Sequence, residues 1–198
     1  MRGVRQRHRK SSTTSLSPSH PLHGLQTKRR TTLSRSAPHR KAVFSLIIVS
    51  IAVVAIDSGS KELAIRTLEG SPKRVLGSFL EFQLTRNSGA AFNLASSATI
   101  LLSLLSFLSI GAIVTFARSI TSRPWGIALG FLLGGVCGNL LDRIFRPPYL
   151  LHGEVIDWLR LPHWPIFNLA DTSIVISAIT IAILLFNDVK PRSRNEPS

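Results

Sequence analysis

The sequence predicts an all-α integral membrane protein with four transmembrane helices, a small extracytoplasmic β-rich region and a disordered N-terminal tail. Three observations lead to this fold class. The 198 residues have a mean hydropathy of +0.24, although Lys and Arg outnumber Asp and Glu by 24 to 10. The charge is segregated, because residues 1–41 hold 11 Lys or Arg and no acid. Four later stretches carry no charge at all, which excludes an ordinary soluble domain.

The N-terminal segment, residues 1–41, is rich in Ser, Thr, Arg and Pro and has no apolar periodicity that could build a core. We therefore expect a disordered tail. A basic run can bind nucleic acid, but a basic run directly before an uncharged stretch is typical of the cytoplasmic side of a membrane. We expect this tail to stay in the cytoplasm, where anionic lipid can attract it, and we expect no nucleic-acid partner.

The transmembrane domain is predicted to cover residues 42–187, followed by a cytoplasmic C-terminal tail at residues 188–198. Its uncharged stretches, rich in Leu, Ile, Val, Ala and Phe, are residues 42–56, 87–117, 124–141 and 172–187. Since a helix needs about 20 residues to cross the hydrocarbon core, the first, third and fourth must each include polar residues at one end. Cleavage of the first stretch as a secretory signal is rejected, because the leader before it is long and three further spans follow.

The orientation of the chain follows from the positive-inside rule. With the N-terminus inside, the inner segments carry 16 Lys or Arg and the outer segments carry 8. Both termini are therefore predicted to be cytoplasmic, and two loops, at about residues 68–96 and 146–165, are predicted to lie outside.

Three acids from three different spans fall at one depth. Counted from the inner anchor of each span at about 1.5 Å per residue, Asp57, Asp142 and Asp171 all lie roughly 24 to 29 Å from the inner face. Carboxylates at the outer margin of the apolar slab are costly and are often functional. The sequence leaves open the alternative that each acid only marks the point where its helix leaves the lipid.

Pairs of polar residues four apart accompany these acids. Asp57 and Lys61 would lie on one face and form an ion pair if the first helix continues past Asp57. Asn139 and Arg143 would form one polar face of the third span. Asp142 could pair with Arg143 or with a neighbouring span.

The third span also contains Gly134, Gly135 and Gly138, and small residues of this kind let membrane helices approach closely. Cys137 lies among them and is interpreted as a small packing residue, since no histidine is near it in sequence. The chain has one cysteine and no paired Cys/His spacing, so neither a disulfide framework nor a zinc site is expected.

The fourth span begins with signals of a capped helix. Asn168 is a candidate N-cap, and Asp171 lies where a carboxylate meets the positive end of the helix dipole. A strand-like segment before it, Glu-Val-Ile-Asp-Trp, could place Asp157 over the mouth of the bundle, opposite Asp171. Two carboxylates this close would share one proton and could act as base and acid around one water. The simpler alternative is a well-capped helix start.

The outer loop before the second span carries a polar motif that begins at Asn87. A helix from Asn87 to residue 117 would be longer than the apolar slab, so the second helix is predicted to begin near Ser96. Asn87 would then lie at the outer mouth, where it could bind substrate backbone or simply form a turn. Residues 75–84 alternate in part and are predicted to form strands on the outer surface.

Five motifs occur in a fixed order across residues 42 to about 187. They are Asp-x-x-Ser-Lys, Asn-x-Gly-Ala-Ala-Phe, Gly-Gly-x-x-Gly-Asn-x-x-Asp-Arg, Val-x-Asp followed by an aromatic residue, and Phe-Asn-x-Ala-Asp. Together they resemble the motifs of lipoprotein signal peptidases, the signal peptidase II family. In that family glutamine commonly follows the first aspartate. Here Ser58 and Gly59 follow it, which leaves open whether the helix continues there.

The resemblance implies an aspartyl endopeptidase of the bacterial plasma membrane that cleaves prolipoproteins just before the diacylglyceryl-modified cysteine of the lipobox. Asp157 and Asp171 match the catalytic pair of the family, and Asp142 matches a structural acid beside the arginine. The residues that match positions lining or shaping the site are Asp57, Lys61, Asn87, Gly135, Asn139, Arg143, Asn168 and Ala170.

Further expectations concern partners and location. The resemblance implies no metal or organic cofactor, and it implies diacylglyceryl-modified prolipoproteins and membrane lipid as partners, with the active site near the outer face. We expect a monomer. Two alternatives remain: a small ion-coupled transporter, whose acids would be spread through the membrane depth, and a non-catalytic membrane assembly factor, whose polar residues would only join helices.

Overall fold

The computed structural model describes residues 22–89, 95–148 and 150–192, and it describes side chains within residues 37–89, 99–148 and 150–192. The described part contains four helices and a small antiparallel sheet, which confirms the predicted fold class. In chain order the elements are α1 (Leu22–Leu68), β1 (Lys73–Leu76), β2 (Leu80–Asn87), α2 (Ala95–Ala117), α3 (Arg123–Phe145), β3 (Val155–Arg160) and α4 (Leu169–Phe186).

Each helix is long and apolar enough to cross a membrane. The four candidate spans are Ala37–Leu68, Thr99–Ala117, Arg123–Phe145 and Leu169–Phe186. The first has 32 residues, which corresponds to about 48 Å and exceeds the roughly 30 Å of hydrocarbon. α1 continues without a break through Ser58 and Gly59, so the end of its uncharged part is not the end of the helix. α2 begins at Ala95, one residue from its predicted start at Ser96.

The two predicted tails lie only partly within the described residues. Residues 1–21 lie outside them, and α1 begins at Leu22, within the segment predicted to be disordered. At the other end of the chain, α4 ends at Phe186, and residues 193–198 again lie outside the described part. The domain boundaries therefore stay predictions.

Glycines on α3 allow close contact with both α1 and α4. Where α3 faces α1, glycines recur every four residues, at Gly126, Gly130, Gly134 and Gly138. A Cβ atom added to Gly134 would lie 2.6 Å from the Cβ atom of Val53. On the neighbouring face, a Cβ atom added to Gly135 would lie 2.5 Å from the carbonyl oxygen of Ala170. Larger residues would force the helices apart, which is why small residues are typical of membrane helix contacts.

Apolar packing is concentrated where α2 turns into α3, and we call this the turn end of the bundle. A cluster of buried side chains joins three helices there: Ala42, Leu46, Ile113, Ala117, Ile120 and Leu129. Along the spans, large apolar side chains point outward instead, and Phe44 and Leu108 are 66% and 70% exposed. Because lipid replaces water around a membrane helix, such exposure is favourable.

The opposite end of the bundle, which we call the sheet end, carries the three strands in the order β1-β2-β3. β1 and β2 form a hairpin that overlaps the predicted strand region, residues 75–84, and extends beyond it at both ends. β3 contains the predicted Val-Ile-Asp-Trp segment. β2 and β3 pair so that Asn87 lies opposite Val155. An isolated antiparallel β-bridge joins Leu159 of β3 to Phe167, which lies two residues before the start of α4. The sheet thus brings the ends of β2 and β3 to the first turn of α4.

Candidate active site

A buried lysine joins α1 to α3 at the sheet end. Lys61 has no exposed surface, and its Nζ lies 2.7 Å from Oδ2 of Asp57 and 2.8 Å from Oδ2 of Asp142. It also donates a 3.1 Å hydrogen bond to Oδ1 of Asn139. A charge is stable in the interior only when it is paired and hydrogen-bonded. The predicted ion pair of Asp57 with Lys61 is confirmed, and Lys61 brings Asp142 into the same cluster.

Asp57 also connects the first helix to the start of the fourth. Its Oδ1 accepts a 2.8 Å hydrogen bond from the backbone N–H of Ala170. This N–H lies in the first turn of α4, where backbone donors have no partner within their own helix. Gly138 of α3 makes room for the contact, because a Cβ atom there would lie 2.7 Å from Oδ2 of Asp57. Three helices therefore meet at one carboxylate.

Asp142 does not pair with Arg143, one of the two partners that the sequence allowed. Its Oδ1 lies 2.5 Å from Nε of Arg146, and its Oδ2 accepts a 3.3 Å hydrogen bond from the backbone N–H of Ile156. Arg143 donates instead to the carbonyl oxygen of Asn139 at 3.2 Å. Adjacent residues of a helix point in different directions, whereas residues four apart face each other. Asp142 therefore pairs with Arg146, the residue directly after α3, and with Lys61 of α1.

The fourth helix begins with the predicted N-cap. Oδ1 of Asn168 accepts a 2.9 Å hydrogen bond from the backbone N–H of Asp171, and Oδ2 of Asp171 accepts a 3.2 Å bond from the backbone N–H of Asn168. This capping box holds the Asp171 carboxylate at the positive end of the helix dipole, where negative charge is stabilised. The second oxygen of Asp171, Oδ1, accepts a 2.7 Å hydrogen bond from Nδ2 of Asn139.

Asp157 lies on β3 and is buried, with 2% of its surface exposed. Its Oδ1 accepts a 2.6 Å hydrogen bond from Nδ2 of Asn168, and its Oδ2 accepts a 3.0 Å bond from Nδ2 of Asn87. Oδ1 of the same Asn87 side chain accepts a 2.8 Å hydrogen bond from the backbone N–H of Gly89. Asn87 thus forms the turn that the sequence allowed and also holds Asp157; its contact with substrate stays a prediction.

Burial raises the pKa of the Asp157 carboxyl from 3.8 to about 6, because the charged form loses its hydration inside the protein. The hydrogen bonds from Asn87 and Asn168 lower this pKa, and the negative charge of Asp171 raises it. The burial effect is the largest of these. Asp157 therefore exchanges its proton much closer to neutral pH than a free aspartate does.

Asn168 connects the two acids that the resemblance assigns to catalysis. Its side-chain N–H donates to Asp157, and its backbone N–H donates to Asp171. The structure thus brings an acid from β3 and an acid from α4 to one asparagine at the sheet end. Two carboxyl groups that influence each other in this way can hold one proton between them and serve as acid and base.

The next feature of the site is the arrangement of side chains that could bind a metal ion. Within the ranges 22–89, 95–148 and 150–192, no three His, Cys, Asp or Glu side chains are placed to hold a metal ion. The acids at the sheet end have other partners: Asp57 and Asp142 face Lys61, and Asp157 and Asp171 accept hydrogen bonds from asparagines.

Sequence reasoning missed two residues that position this network. Arg146 lies four residues after Asp142, and this spacing is the same signal that pointed to the ion pair on α1. Gly153 allows the loop before β3 to pack on the end of α3, since a Cβ atom there would lie 2.3 Å from the carbonyl oxygen of Asp142. No local pattern marks Gly153, because the close approach depends on the path of the whole loop.

Comparison with known proteins identifies the family. The family model described as signal peptidase (SPase) II matches residues 49–187. A lipoprotein signal peptidase from Streptomyces coelicolor is 41% identical over 153 residues, which cover 77% of this chain and 75% of the relative. A lipoprotein signal peptidase from Mycobacterium tuberculosis is 40% identical over 149 residues, which cover 75% of this chain and 73% of the relative.

The fold is similar to two solved structures, each described as a bacterial membrane enzyme studied by the in meso method. The structure at 2.3 Å resolution has a TM-score of 0.65 and 27% sequence identity, over 79% of this chain and 96% of the other. The structure at 1.9 Å resolution has a TM-score of 0.66 and 28% identity, over 74% of this chain and 96% of the other.

These similarities do not favour an ion-coupled transporter or a non-catalytic assembly factor. The matched segment, residues 49–187, includes every site residue that the sequence predicted. It also includes the three helices that follow α1. The chain therefore belongs to the signal peptidase II family and is a multi-pass membrane peptidase.

Proposed function

We propose that this protein is an aspartic endopeptidase of the bacterial inner membrane, with Asp157 and Asp171 as its catalytic pair. As a member of the signal peptidase II family, it removes signal peptides from prolipoproteins by cleaving before the diacylglyceryl-modified cysteine. The proposal adds the catalytic type and the residues that carry it. One observation supports it most strongly: Asn168 donates hydrogen bonds to both carboxyl groups.

Asp171 is proposed as the general base. Its carboxylate lies at the N-terminus of α4 and accepts hydrogen bonds from Nδ2 of Asn139 and from the backbone N–H of Asn168, which hold it in place. It removes a proton from the water that attacks the scissile carbonyl carbon. That proton then passes to the amine as the peptide bond breaks.

Asp157 is proposed as the general acid. Its burial raises the pKa of its carboxyl to about 6, so the protonated form is populated near neutral pH. The protonated group gives its proton to the carbonyl oxygen as negative charge develops there, and it takes the proton back as the peptide bond breaks. Two carboxyl groups in different surroundings can take different roles, one as acid and one as base. Here Asp157 lies on a buried strand and Asp171 lies in the first turn of a helix.

Lys61 is proposed to position the base through Asn139. Oδ1 of Asn139 accepts from Nζ of Lys61 and from Nδ2 of Asn168, both at 3.1 Å. These two bonds fix the orientation of the amide, so that its Nδ2 points to Asp171. Lys61 is held in turn by its ion pairs with Asp57 of α1 and Asp142 of α3. The whole network therefore presets the geometry of the two catalytic carboxyl groups.

The lipid part of the substrate is proposed to bind beside this network. A groove with a volume of about 160 Å³ lies next to Asn139 and Arg143. Its other walls include Leu102, Leu105, Val136 and Ile174. Leu105 is 53% exposed on the lipid-facing surface of α2. Acyl chains held there would supply binding energy that draws the peptide bond toward the two acids.

The orientation in the membrane is part of the proposal. The excess of Lys and Arg in the predicted inner segments supports cytoplasmic termini and a sheet end at the outer face. A monomer is also part of the proposal.

Asp157→Asn and Asp171→Asn are the direct test. Each should lower the rate at which purified protein cleaves a diacylglyceryl-modified precursor peptide by about a thousandfold or more, while the protein remains folded. EDTA should leave the wild-type rate unchanged. Asp188→Asn is a matched control, because Asp188 is an exposed aspartate that pairs with Lys190 beyond the far end of α4. Full activity of either catalytic variant would remove the assignment.

A further inference from the structure

A second cavity lies between α1 and the sheet, and we call it the α1–sheet cavity. Its volume is about 350 Å³, which is within the range of roughly 300–1,000 Å³ typical of small-molecule sites. Neither Asp157 nor Asp171 lines it. Residues that do line it are Ser60, Leu63 and Thr67 of α1, Lys73 of β1, Phe82 of β2 and Trp158 of β3.

The walls of the α1–sheet cavity are apolar and aromatic. The rings of Phe82 and Trp158 meet edge to face, with centroids 5.1 Å apart. Nε1 of Trp158 is buried and has no hydrogen-bond partner among the described residues. A buried donor without an acceptor is costly, and the indole N–H usually finds a partner.

A single cation, Lys73, is among the residues that line the cavity. Lys73 is exposed, and the described residues offer it no ion pair. The two neighbouring arginines behave differently, because Arg74 and Arg160 both pair with Glu81. Lys73 is therefore available to an anionic group that comes with an occupant.

An uncharged stripe on α1 extends from the membrane span to the lining of the cavity. Ile56, Ser60 and Leu63 are spaced four and three residues apart, which places them on one face of the helix. Ile56 and Leu63 are each 61% exposed. This stripe carries no charge, and its residues Ser60 and Leu63 also line the cavity. An acyl chain can follow such a stripe, whereas a polypeptide would have to desolvate its backbone there.

We propose that the α1–sheet cavity binds one anionic phospholipid, whose acyl chain lies along the stripe of Ile56, Ser60 and Leu63 and whose phosphate lies at Lys73. The lipid is then a bound partner of the sheet rather than a substrate. This inference does not depend on the catalytic roles proposed for Asp157 and Asp171.

The tryptophans of the chain offer a direct test. Trp125→Phe combined with Trp164→Phe leaves Trp158 as the single remaining tryptophan. The protein is held in detergent micelles, and phosphatidylglycerol with a dibrominated acyl chain is added. Bromine quenches indole fluorescence only at short range, so we expect saturable quenching of Trp158 with one lipid bound per protein. Quenching that rises linearly without saturation would overturn the proposal.

Two threonine variants separate the cavity from general contact with lipid. Thr67 and Thr115 are both exposed on helices, and each hydroxyl donates to the carbonyl oxygen four residues earlier. Thr67→Phe fills the cavity and should abolish the saturable quenching, whereas Thr115→Phe on α2 should leave it unchanged. Equal effects of the two variants would contradict the proposal.

The same fluorescence assay tests whether Lys73 binds the headgroup and whether the occupant is a lipid or a polypeptide. Lys73→Gln should weaken the binding of phosphatidylglycerol by about fivefold and leave phosphatidylcholine unaffected. Displacement of the brominated lipid by a precursor peptide without its diacylglyceryl group would show that the cavity belongs to a polypeptide and would overturn the proposal. If the tryptophan variant does not fold, native mass spectrometry of otherwise wild-type protein with and without Thr67→Phe gives the same comparison.

Discussion

The two ends of the helix bundle are held together by different contacts. At the turn end, buried apolar side chains such as Leu46 and Leu129 pack together. At the sheet end, charged groups are buried, and those of the described residues are Asp57, Lys61, Asp142 and Asp157. Each of these has a partner of opposite charge or an amide donor at 3.1 Å or less.

The difference follows from the solvent. Lipid tails are as apolar as leucine, so apolar contacts between helices add less stability in a membrane than in water, and close packing through glycines must do more of the work. Ion pairs and hydrogen bonds are directional, and a buried charge that loses its partner is costly. The turn end can therefore tolerate repacking, whereas the sheet end specifies one geometry.

The largest expected effect comes from Lys61→Met. The substitution leaves Asp57 and Asp142 buried without their shared cation, so we expect a loss of about 3–5 kcal/mol in the free energy of unfolding. Leu129→Ala at the turn end should cost about 2 kcal/mol. Unfolding in detergent, followed by circular dichroism, measures both. A smaller loss for Lys61→Met than for Leu129→Ala would contradict the view that buried charges stabilise the sheet end more specifically than apolar packing stabilises the turn end.

A smaller effect is expected where α3 approaches α1. Gly134→Leu places a side chain against Val53, and we expect a loss of about 1–3 kcal/mol through overpacking. Gly111 is the matched control, because a Cβ atom there meets no heavy atom within 4 Å. Gly111→Leu should leave the unfolding midpoint unchanged. Equal destabilisation by the two variants would show that glycine packing does not hold these helices together.

The pH dependence of Asp157 gives a further effect on stability, of about the same size as that of Gly134→Leu. Its folded pKa of about 6 lies above the ordinary value of 3.8. Its contribution to stability is therefore fully present below about pH 4 and is lost as the pH rises through 6, by up to about 3 kcal/mol. Asp157→Asn should remove this slope from the unfolding midpoint. An unchanged slope in the variant would mean that Asp157 is not the group responsible.

Much of this architecture could be predicted because its signals are local. Uncharged stretches predict the spans, since the length of a helix that crosses lipid is fixed by the bilayer. The pair of Asp57 with Lys61 and the cap formed by Asn168 with Asp171 depend on residues three or four apart, and helix geometry alone brings such residues together.

The contacts that assemble the site could not be predicted in this way. The bond from the backbone of Ile156 to Asp142 and the bond from Asn87 to Asp157 join different elements. Their existence depends on how the loop before β3 folds back on α3 and on the register of the sheet. The α1–sheet cavity has the same origin, because β1, β2 and β3 each contribute one of its lining residues.

The proposed division of roles between Asp157 and Asp171 is tested most directly by the pH dependence of kcat/KM for a diacylglyceryl-modified peptide, measured on wild-type protein and on Asn87→Ala. Because Asp157 must be protonated to act as the acid, we predict that activity falls as the pH rises through about 6. The hydrogen bond from Asn87 lowers the pKa of Asp157, so its removal should move this fall to higher pH. A profile with no fall near pH 6, or a fall at the same pH in Asn87→Ala, would contradict the account.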